Sequence, residues 1–243
     1  MTPAQTEAKS TKHLQDMMLR QFVLAHPASR HPLFDRLNRG SLTQTEAGAL
    51  LRNYDAHASH LRRLLLKAAT IMPEKAVGYI LENVRNEYGN GRAEDRHQLQ
   101  LQDLAWQIGV TVESYKTFAI RPGVKTFIKD VTAFYYPLGR FSGTPGLHIQ
   151  SQAAIAAGAI TATELLALQE FKCLQKAFAS FEQEHHIWFD HVTIESEHLE
   201  DSVSLALYFL EENSSFEADL LFGLNGVLDA SVHLYDGLLA CVS

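Results

Sequence analysis

Apolar residues recur at helical spacing along almost the whole chain, beginning with Leu14, Met18 and Phe22. No alternation at period two indicates a strand, and no internal repeat or linker divides the sequence. The pattern predicts one all-α domain over residues 13–243, preceded by a flexible tail over residues 1–12. The helices are predicted over residues 12–25, 31–38, 43–71, 74–85, 93–108, 111–118, 122–136, 161–181, 186–210 and 216–239.

Two segments have the form of a capping box, in which a Thr caps the helix and a Glu three residues later reaches back. They are Thr43 with Glu46 and Thr161 with Glu164. Each is therefore expected to start a helix. Residues 137–147, which are rich in Pro and Gly, form the most irregular stretch and are interpreted as a connector between helices.

Composition narrows the class of protein. The 243 residues are 46% hydrophobic, enough for a substantial core, and the formal net charge of −7 comes without a basic cluster, which argues against nucleic-acid binding. No apolar run approaches the ~18 residues of a membrane span, and the polar start of the chain predicts a cytoplasmic protein. Two distant cysteines do not form a disulfide framework, and the apolar faces of the first and last helices favour a homodimer.

Three candidate metal ligands fall on one helix. At about 100° per residue, His191, Glu195 and His198 lie within an arc of roughly 60° that also carries the apolar stripe. Burying a carboxylate and two imidazoles requires a partner for each of them. A metal cation would serve all three, and imidazole with carboxylate suits iron, manganese or zinc. A buried His–Glu–His hydrogen-bond network is the alternative.

A second helix adds a matching pair. Glu94 and His97 are three residues apart on the predicted helix over residues 93–108, where His97 shares its face with Leu101 and Leu104. A Glu-x-x-His pair facing ligands on another helix is how bundles build dinuclear metal sites. Glu94 taken alone is also explained as an acid in a first helical turn.

The long helix from Thr43 carries two further histidines, His57 and His60, on the face of Tyr54 and Leu64. Either one could complete a metal site. The alternative is that both are core or pocket histidines whose hydrogen bonds are satisfied and that bind no metal.

These motifs resemble a known family. The segment from Glu82 through Gly89 and Gly91 to Glu94 and His97 is similar to the E-x-G-x-G…E-x-x-H stretch of heme-oxygenase-like iron-containing oxidases. The spacing of His191, Glu195 and His198 resembles their H-x3-D-x2-H motif. The likeness covers roughly residues 14–239, and the helical layout is also similar to that of the CADD-like, TenA-like and PqqC-like branches.

The resemblance implies a bundle of seven or eight helices with an internal pocket. It implies two iron ions, held by Glu94, His97, His191, Glu195 and His198, that activate dioxygen to oxidise a small amine or fatty acid. Two departures bear on the second iron. Glu195 stands where the family has Asp, and Asn90 stands where some CADD-like members have an acid. His57 and His60 lie where a further carboxylate would be wanted.

Two other functions stay open at this point. TenA-like and PqqC-like relatives act on heterocycles without a metal, and the TenA type uses a nucleophilic cysteine, for which Cys173 is the candidate. A non-catalytic binding protein is the third possibility, since a fold alone does not determine a function.

Overall fold

The computed structural model describes residues 3–137 and 149–243, with side chains from residue 12 onward except for residue 191 and residues 193–198. Within these ranges the chain forms ten α-helices and no strand, which confirms the all-α prediction. The helices are α1 (Pro3–Ala25), α2 (Pro32–Asn38), α3 (Gln44–Ala69), α4 (Gly78–Glu87), α5 (His97–Gln107), α6 (Val112–Thr117), α7 (Pro122–Tyr135), α8 (Ile149–Phe178), α9 (His191–Glu212) and α10 (Glu217–Leu239).

The first capping box is present at the start of α3. Thr43 has an extended backbone, and the Glu46 backbone N–H donates to its Oγ1 at 3.2 Å. The Thr43 backbone N–H donates in return to the Glu46 carboxylate at 2.7 Å. The reciprocal pair satisfies two backbone donors and fixes the first residue of the helix.

The second capping box is wrong. Helix α8 begins at Ile149, so Thr161 and Glu164 lie near its middle. Thr161 Oγ1 donates to the Ala157 and Ser202 carbonyl oxygens, at 2.8 and 2.9 Å, instead of capping a helix start. The irregular stretch predicted over residues 137–147 lies outside the described residues except for Pro137.

The N-terminal helix is longer than expected. Residues 1–12 were predicted to form a tail, whereas α1 is helical from Pro3. Its apolar residues Leu14, Met18 and Phe22 are exposed, at 57%, 60% and 40%. The homodimer expected from such faces stays a prediction.

Helix α8 is the centre of the bundle and packs against α2, α7, α9 and α10. It approaches α10 so closely that a Cβ on Gly158 would lie 1.9 Å from the Leu220 carbonyl oxygen. A Cβ on Gly223 would meet the Ile155 carbonyl oxygen at the same distance. Among the residues described, only residues 149–181 are long and apolar enough for a membrane span, and 78% of that apolar window is buried inside the bundle.

Candidate functional site

One cavity of about 90 Å³ lies inside the bundle, between α3, α4, α5, α7, α8 and α10. By this measure a single water needs roughly 10–15 Å³, so the cavity has room for several waters or a small organic molecule. Acidic, basic and histidine side chains from four of these helices line it: Asp55, His57, Arg62, Glu87, His97, Glu164 and Glu170.

Glu87 and His97 meet at one side of this cavity. Glu87 is the last residue of α4 and His97 the first residue of α5, and Glu87 Oε1 lies 3.2 Å from His97 Nδ1. Two neighbouring ligands of one small cation have a similar separation, since each lies about 2 Å from the ion. Because His97 is buried and Glu87 mostly so, the pair is a candidate for half of a metal site.

Glu94 does not belong to this pair. It lies in a short 3₁₀ turn, Ala93–Asp95, and its side chain is 68% exposed and 3.5 Å from Arg92. The expectation that Glu94 and His97 share one inward helical face is wrong, because the extended backbone of Arg96 separates the turn from α5. Glu87, ten residues before His97, is the carboxylate that lies beside His97.

Glu164 supplies a second carboxylate from α8. It is buried, and its Oε1 accepts a hydrogen bond from Asn83 Nδ2 at 2.8 Å. Asn83 and Glu87 are four residues apart on α4, so they lie on one face of that helix. The face that carries Glu87 therefore also holds Glu164, and sequence analysis missed this acid by assigning it to a helix start.

A buried network holds the side of the cavity next to Glu87. Arg62 Nη1 lies 3.6 Å from Glu87 Oε2, and Arg62 Nη2 donates to Ser59 Oγ and Gln98 Oε1. Asp55 in turn accepts hydrogen bonds from Ser59 and Gln98, at 2.8 and 3.1 Å. Partners of this kind orient a metal ligand and restrict its movement.

Helix α9 carries the remaining predicted ligands, His191, Glu195 and His198. Its backbone is helical over all three positions, and it packs against α4 and α8, the helices of Glu87 and Glu164. The side chains of these three residues lie outside the described residues, so their ligand role stays a prediction. Among the side chains that are described, no group of three or more His, Cys, Asp or Glu is placed to hold a metal ion.

His57 lines the cavity, and His60 contacts Thr132 on α7. The His57 side chain is buried, lines the cavity with its ring 4.4 Å from that of Tyr54, and has Nδ1 3.4 Å from the Asn53 carbonyl oxygen. His60 is half-buried, and its Nε2 lies 2.8 Å from Thr132 Oγ1. Burial lowers the pKa of both residues, and that of His57 to about 4.

The His57 pKa predicts an acid-sensitive fold. An unfolded histidine titrates near 6.5, so the unfolded chain binds more protons than the folded one between about pH 6.5 and 4, and stability falls as the pH falls. The free energy of unfolding of the metal-free protein should therefore fall between about pH 7.5 and 5 by roughly 2 kcal/mol more in the wild type than in His57→Gln. Urea unfolding of both proteins at the two pH values measures this difference.

Glu170 acts in the opposite direction, because burial raises its pKa to about 7. The stability from its protonated form is complete below about pH 4.5 and is lost as the pH rises through 7. Comparing the pH-induced change in two proteins that share Glu170 cancels this effect. If the free energy of unfolding fell equally with pH in the wild type and in His57→Gln, His57 would not be the source of the acid sensitivity.

Cys173 does not have the properties of an activated thiol. It is buried, and burial raises the pKa of its thiol above the ordinary value. A nucleophilic cysteine needs the opposite shift, since the thiolate is the reactive form. Nothing at Cys173 favours the TenA-like alternative.

The profile of one protein family, described as iron-containing redox enzyme, matches residues 49–232. The chain belongs to this iron-containing redox enzyme family. A search of curated proteins gave no match. The matched residues include α4, α5, α8 and α9, which carry Glu87, His97, Glu164 and the three predicted ligands of α9.

The fold of this member of the iron-containing redox enzyme family is similar to that of solved structures of other proteins. A CADD-like protein of unknown function from Nostoc punctiforme superposes with a TM-score of 0.72 at 15% identity, covering 96% of this chain and 100% of that one. A domain of unknown function with a heme oxygenase-like fold from Shewanella denitrificans superposes with a TM-score of 0.65 at 12% identity, covering 99% and 93%. The bundle therefore has the heme oxygenase-like fold.

The cavity residues match the iron that the family description implies in the type of their donor atoms, and the described residues alone form no complete metal site. Glu87 and Glu164 offer carboxylate oxygens and His97 an imidazole nitrogen, the donor types of non-heme iron sites. Arg62 contacts Glu87, and Asn83 donates a hydrogen bond to Glu164, as the partners that orient metal ligands do.

Proposed function

We propose that this family member is a non-heme iron oxidase or oxygenase that uses dioxygen to oxidise a small organic molecule inside its cavity. The observation that carries the proposal is the convergence of Glu87, His97 and Glu164, from α4, α5 and α8, on one cavity. Carboxylates buried in a protein interior need a cation or hydrogen-bond donors, and a metal ion between these helices would provide the cation.

In this proposal Glu87, His97 and Glu164 would hold iron together with His191, Glu195 and His198. Three carboxylates and three histidines are enough ligands for two ions, and Glu164 would serve as the further carboxylate that sequence analysis did not find. When bound, ferrous iron would supply electrons to dioxygen, a reaction that side chains alone do not perform. Glu94, His57 and His60 have no place in this ligand set.

The chain's own residues would perform the other tasks. Arg62 restrains Glu87 through a contact of 3.6 Å, and Asn83 restrains Glu164 through a hydrogen bond of 2.8 Å. Tyr135, whose ring lies in the cavity wall, donates a hydrogen bond to Thr163 Oγ1 at 2.7 Å. Burial raises the pKa of Tyr135 well above its ordinary value, so its phenol stays protonated. The apolar part of the cavity wall would cover the substrate and limit its contact with water.

Iron stoichiometry tests the ligand assignment. We expect anaerobically purified protein to bind about two ferrous ions per chain, and His97→Ala and Glu87→Ala to bind about one or fewer, because each loses a donor that the metal requires. His191→Ala and His198→Ala should show the same loss. Elemental analysis of the desalted proteins measures it.

Glu94→Ala is the matched control for Glu87→Ala. It removes the same side chain a few residues away, from the protein surface, and should leave the iron content unchanged. Loss of iron in Glu94→Ala with retention in Glu87→Ala would reverse the assignment. Retention of iron in all the variants would reject the site.

A further inference from the structure

Glu170 is a carboxyl group in the cavity that the iron proposal does not use. It lies on α8 six residues after Glu164, which places it about 9 Å further along the helix and about 120° around it. It therefore lines a different part of the cavity wall from the proposed metal ligands. The substrate of the proposed oxidase would lie between the two regions.

Two tyrosines hold the Glu170 carboxyl group in place. Tyr54 Oη donates to Glu170 Oε2 at 3.2 Å, and Tyr235 Oη donates to Oε1. Tyr235 is completely buried, whereas Glu170 is half-buried and lines the cavity. Each carboxylate oxygen has two acceptor sites, so the tyrosines leave capacity for a donor that enters from the cavity.

Aromatic rings form the wall beside this carboxyl group. Tyr54, Phe171 and Trp188 all line the cavity, and the Trp188 ring centroid lies 5.3 Å from that of Tyr54 and 5.2 Å from that of Phe171. Aromatic rings attract cations through their negative faces and also cover apolar groups. A carboxyl group set in such a wall suits a ligand that combines an ammonium group with a short apolar body.

The other charges in the cavity are consistent with a cationic ligand. Of the described lining residues, Arg62 is the one Lys or Arg, and it contacts Glu87, Ser59 and Gln98. Asp55 already accepts hydrogen bonds from four side chains, among them Gln102 and Tyr115. A substrate carboxylate near Glu170 would therefore be repelled by that acid. The guanidinium of Arg62 already contacts Glu87, Ser59 and Gln98.

We propose that Glu170, held by Tyr54 and Tyr235, binds the protonated amine of the substrate, which makes the substrate a small aliphatic amine. This inference rests on the proposed oxidase function, because the bound amine is a substrate only if the protein oxidises it. Burial raises the pKa of Glu170 to about 7, against hydrogen bonds from Tyr235 and Tyr54 that favour its ionised form. An arriving ammonium group would favour the ionised carboxylate and pair with it, and the carboxyl proton would leave to solvent.

Three ligands of equal length test the charge preference. Isothermal titration calorimetry of the metal-free protein with hexylamine, hexanol and hexanoate should rank the affinities in that order. Glu170→Gln, which keeps the side-chain volume, should weaken hexylamine binding about tenfold or more, because a hydrogen bond to a charged group is lost. Its affinity for hexanol should stay within about twofold of the wild type.

Two variants keep the test sharp. Glu164→Gln removes a cavity carboxylate that is proposed to hold metal, so it should keep the preference for hexylamine over hexanol. Tyr54→Phe should weaken hexylamine binding less than Glu170→Gln does. An equal loss of hexylamine and hexanol binding in Glu170→Gln, or tighter binding of hexanoate than of hexylamine by the wild type, would overturn the proposal.

The outcome is separable from that of the iron proposal, because the titrations use metal-free protein. A wild type that binds iron but shows no preference for hexylamine contradicts the amine site alone. A wild type that prefers hexylamine but binds no iron contradicts the oxidase alone, and the Glu170 site would then belong to an amine-binding protein.

Discussion

Replacing Glu164 with glutamine is expected to remove at least about half of the bound iron, because a neutral amide is a much weaker iron ligand than a carboxylate. The change keeps the side-chain volume, and the glutamine carbonyl oxygen can still accept the hydrogen bond that Asn83 donates at 2.8 Å. The packing around α8 is thus preserved while the charge is lost. Iron per chain, measured by elemental analysis after anaerobic loading, reports the effect.

Glu170→Gln is the matched control on the same helix. It makes the same chemical change in the same cavity, at a carboxyl group that contacts Tyr54 and Tyr235 rather than the proposed metal ligands. This variant should bind as much iron as the wild type. Equal iron loss in both variants would show a general effect of cavity charge, and full retention in Glu164→Gln would remove Glu164 from the ligand set.

The position of Glu164 in the middle of α8 illustrates what sequence analysis could not resolve. Thr43 with Glu46 and Thr161 with Glu164 have the same letters at the same spacing, yet only the first pair caps a helix. The difference lies in what precedes them. Gly40 and Ser41 have positive φ and end the preceding segment, whereas the Ala-rich residues 153–159 favour continued helix.

The expected position of Glu94 beside His97 was wrong for a different reason. Spacing of three residues places two side chains on one face only when both lie in one helix, and the helix of His97 begins at His97 itself. Gly89 and Gly91, which both have positive φ, indicate a loop between α4 and α5. Asn83 and Glu87, four residues apart before that loop, were the available signal for an inward polar face on α4.

Most helices, by contrast, were predictable from the sequence. The buried face of each helix makes apolar residues recur every three or four positions. The predicted and observed bounds of α3, α7 and α10 agree within two residues at both ends of each helix. The inward position of His97 also followed from its spacing to Leu101 and Leu104, both of which are buried. Contacts between distant helices, such as that of Asn83 with Glu164, have no counterpart in local periodicity.

The contact between α8 and α10 gives the largest expected effect on stability. Gly223→Ala should lower the free energy of unfolding by about 3 kcal/mol or more, because the added methyl group would lie 1.9 Å from the Ile155 carbonyl oxygen. Neither backbone can yield locally, since Gly158 approaches the Leu220 carbonyl oxygen equally closely in the same contact. The two helices must move apart, and α8 also carries Glu164 and Glu170.

Gly78→Ala is the matched control. Gly78 is exposed at the start of α4 with no atom within 4 Å of an added Cβ, so alanine should be neutral or stabilise the protein by up to about 1 kcal/mol. Urea unfolding followed by circular dichroism compares the two variants with the wild type. If Gly223→Ala folds too poorly to be measured, its absence from the soluble fraction beside soluble Gly78→Ala supports the prediction. Wild-type stability in Gly223→Ala would mean that α8 and α10 are further apart than 1.9 Å allows. The positions of Glu164 and Glu170 in the cavity wall would then differ as well.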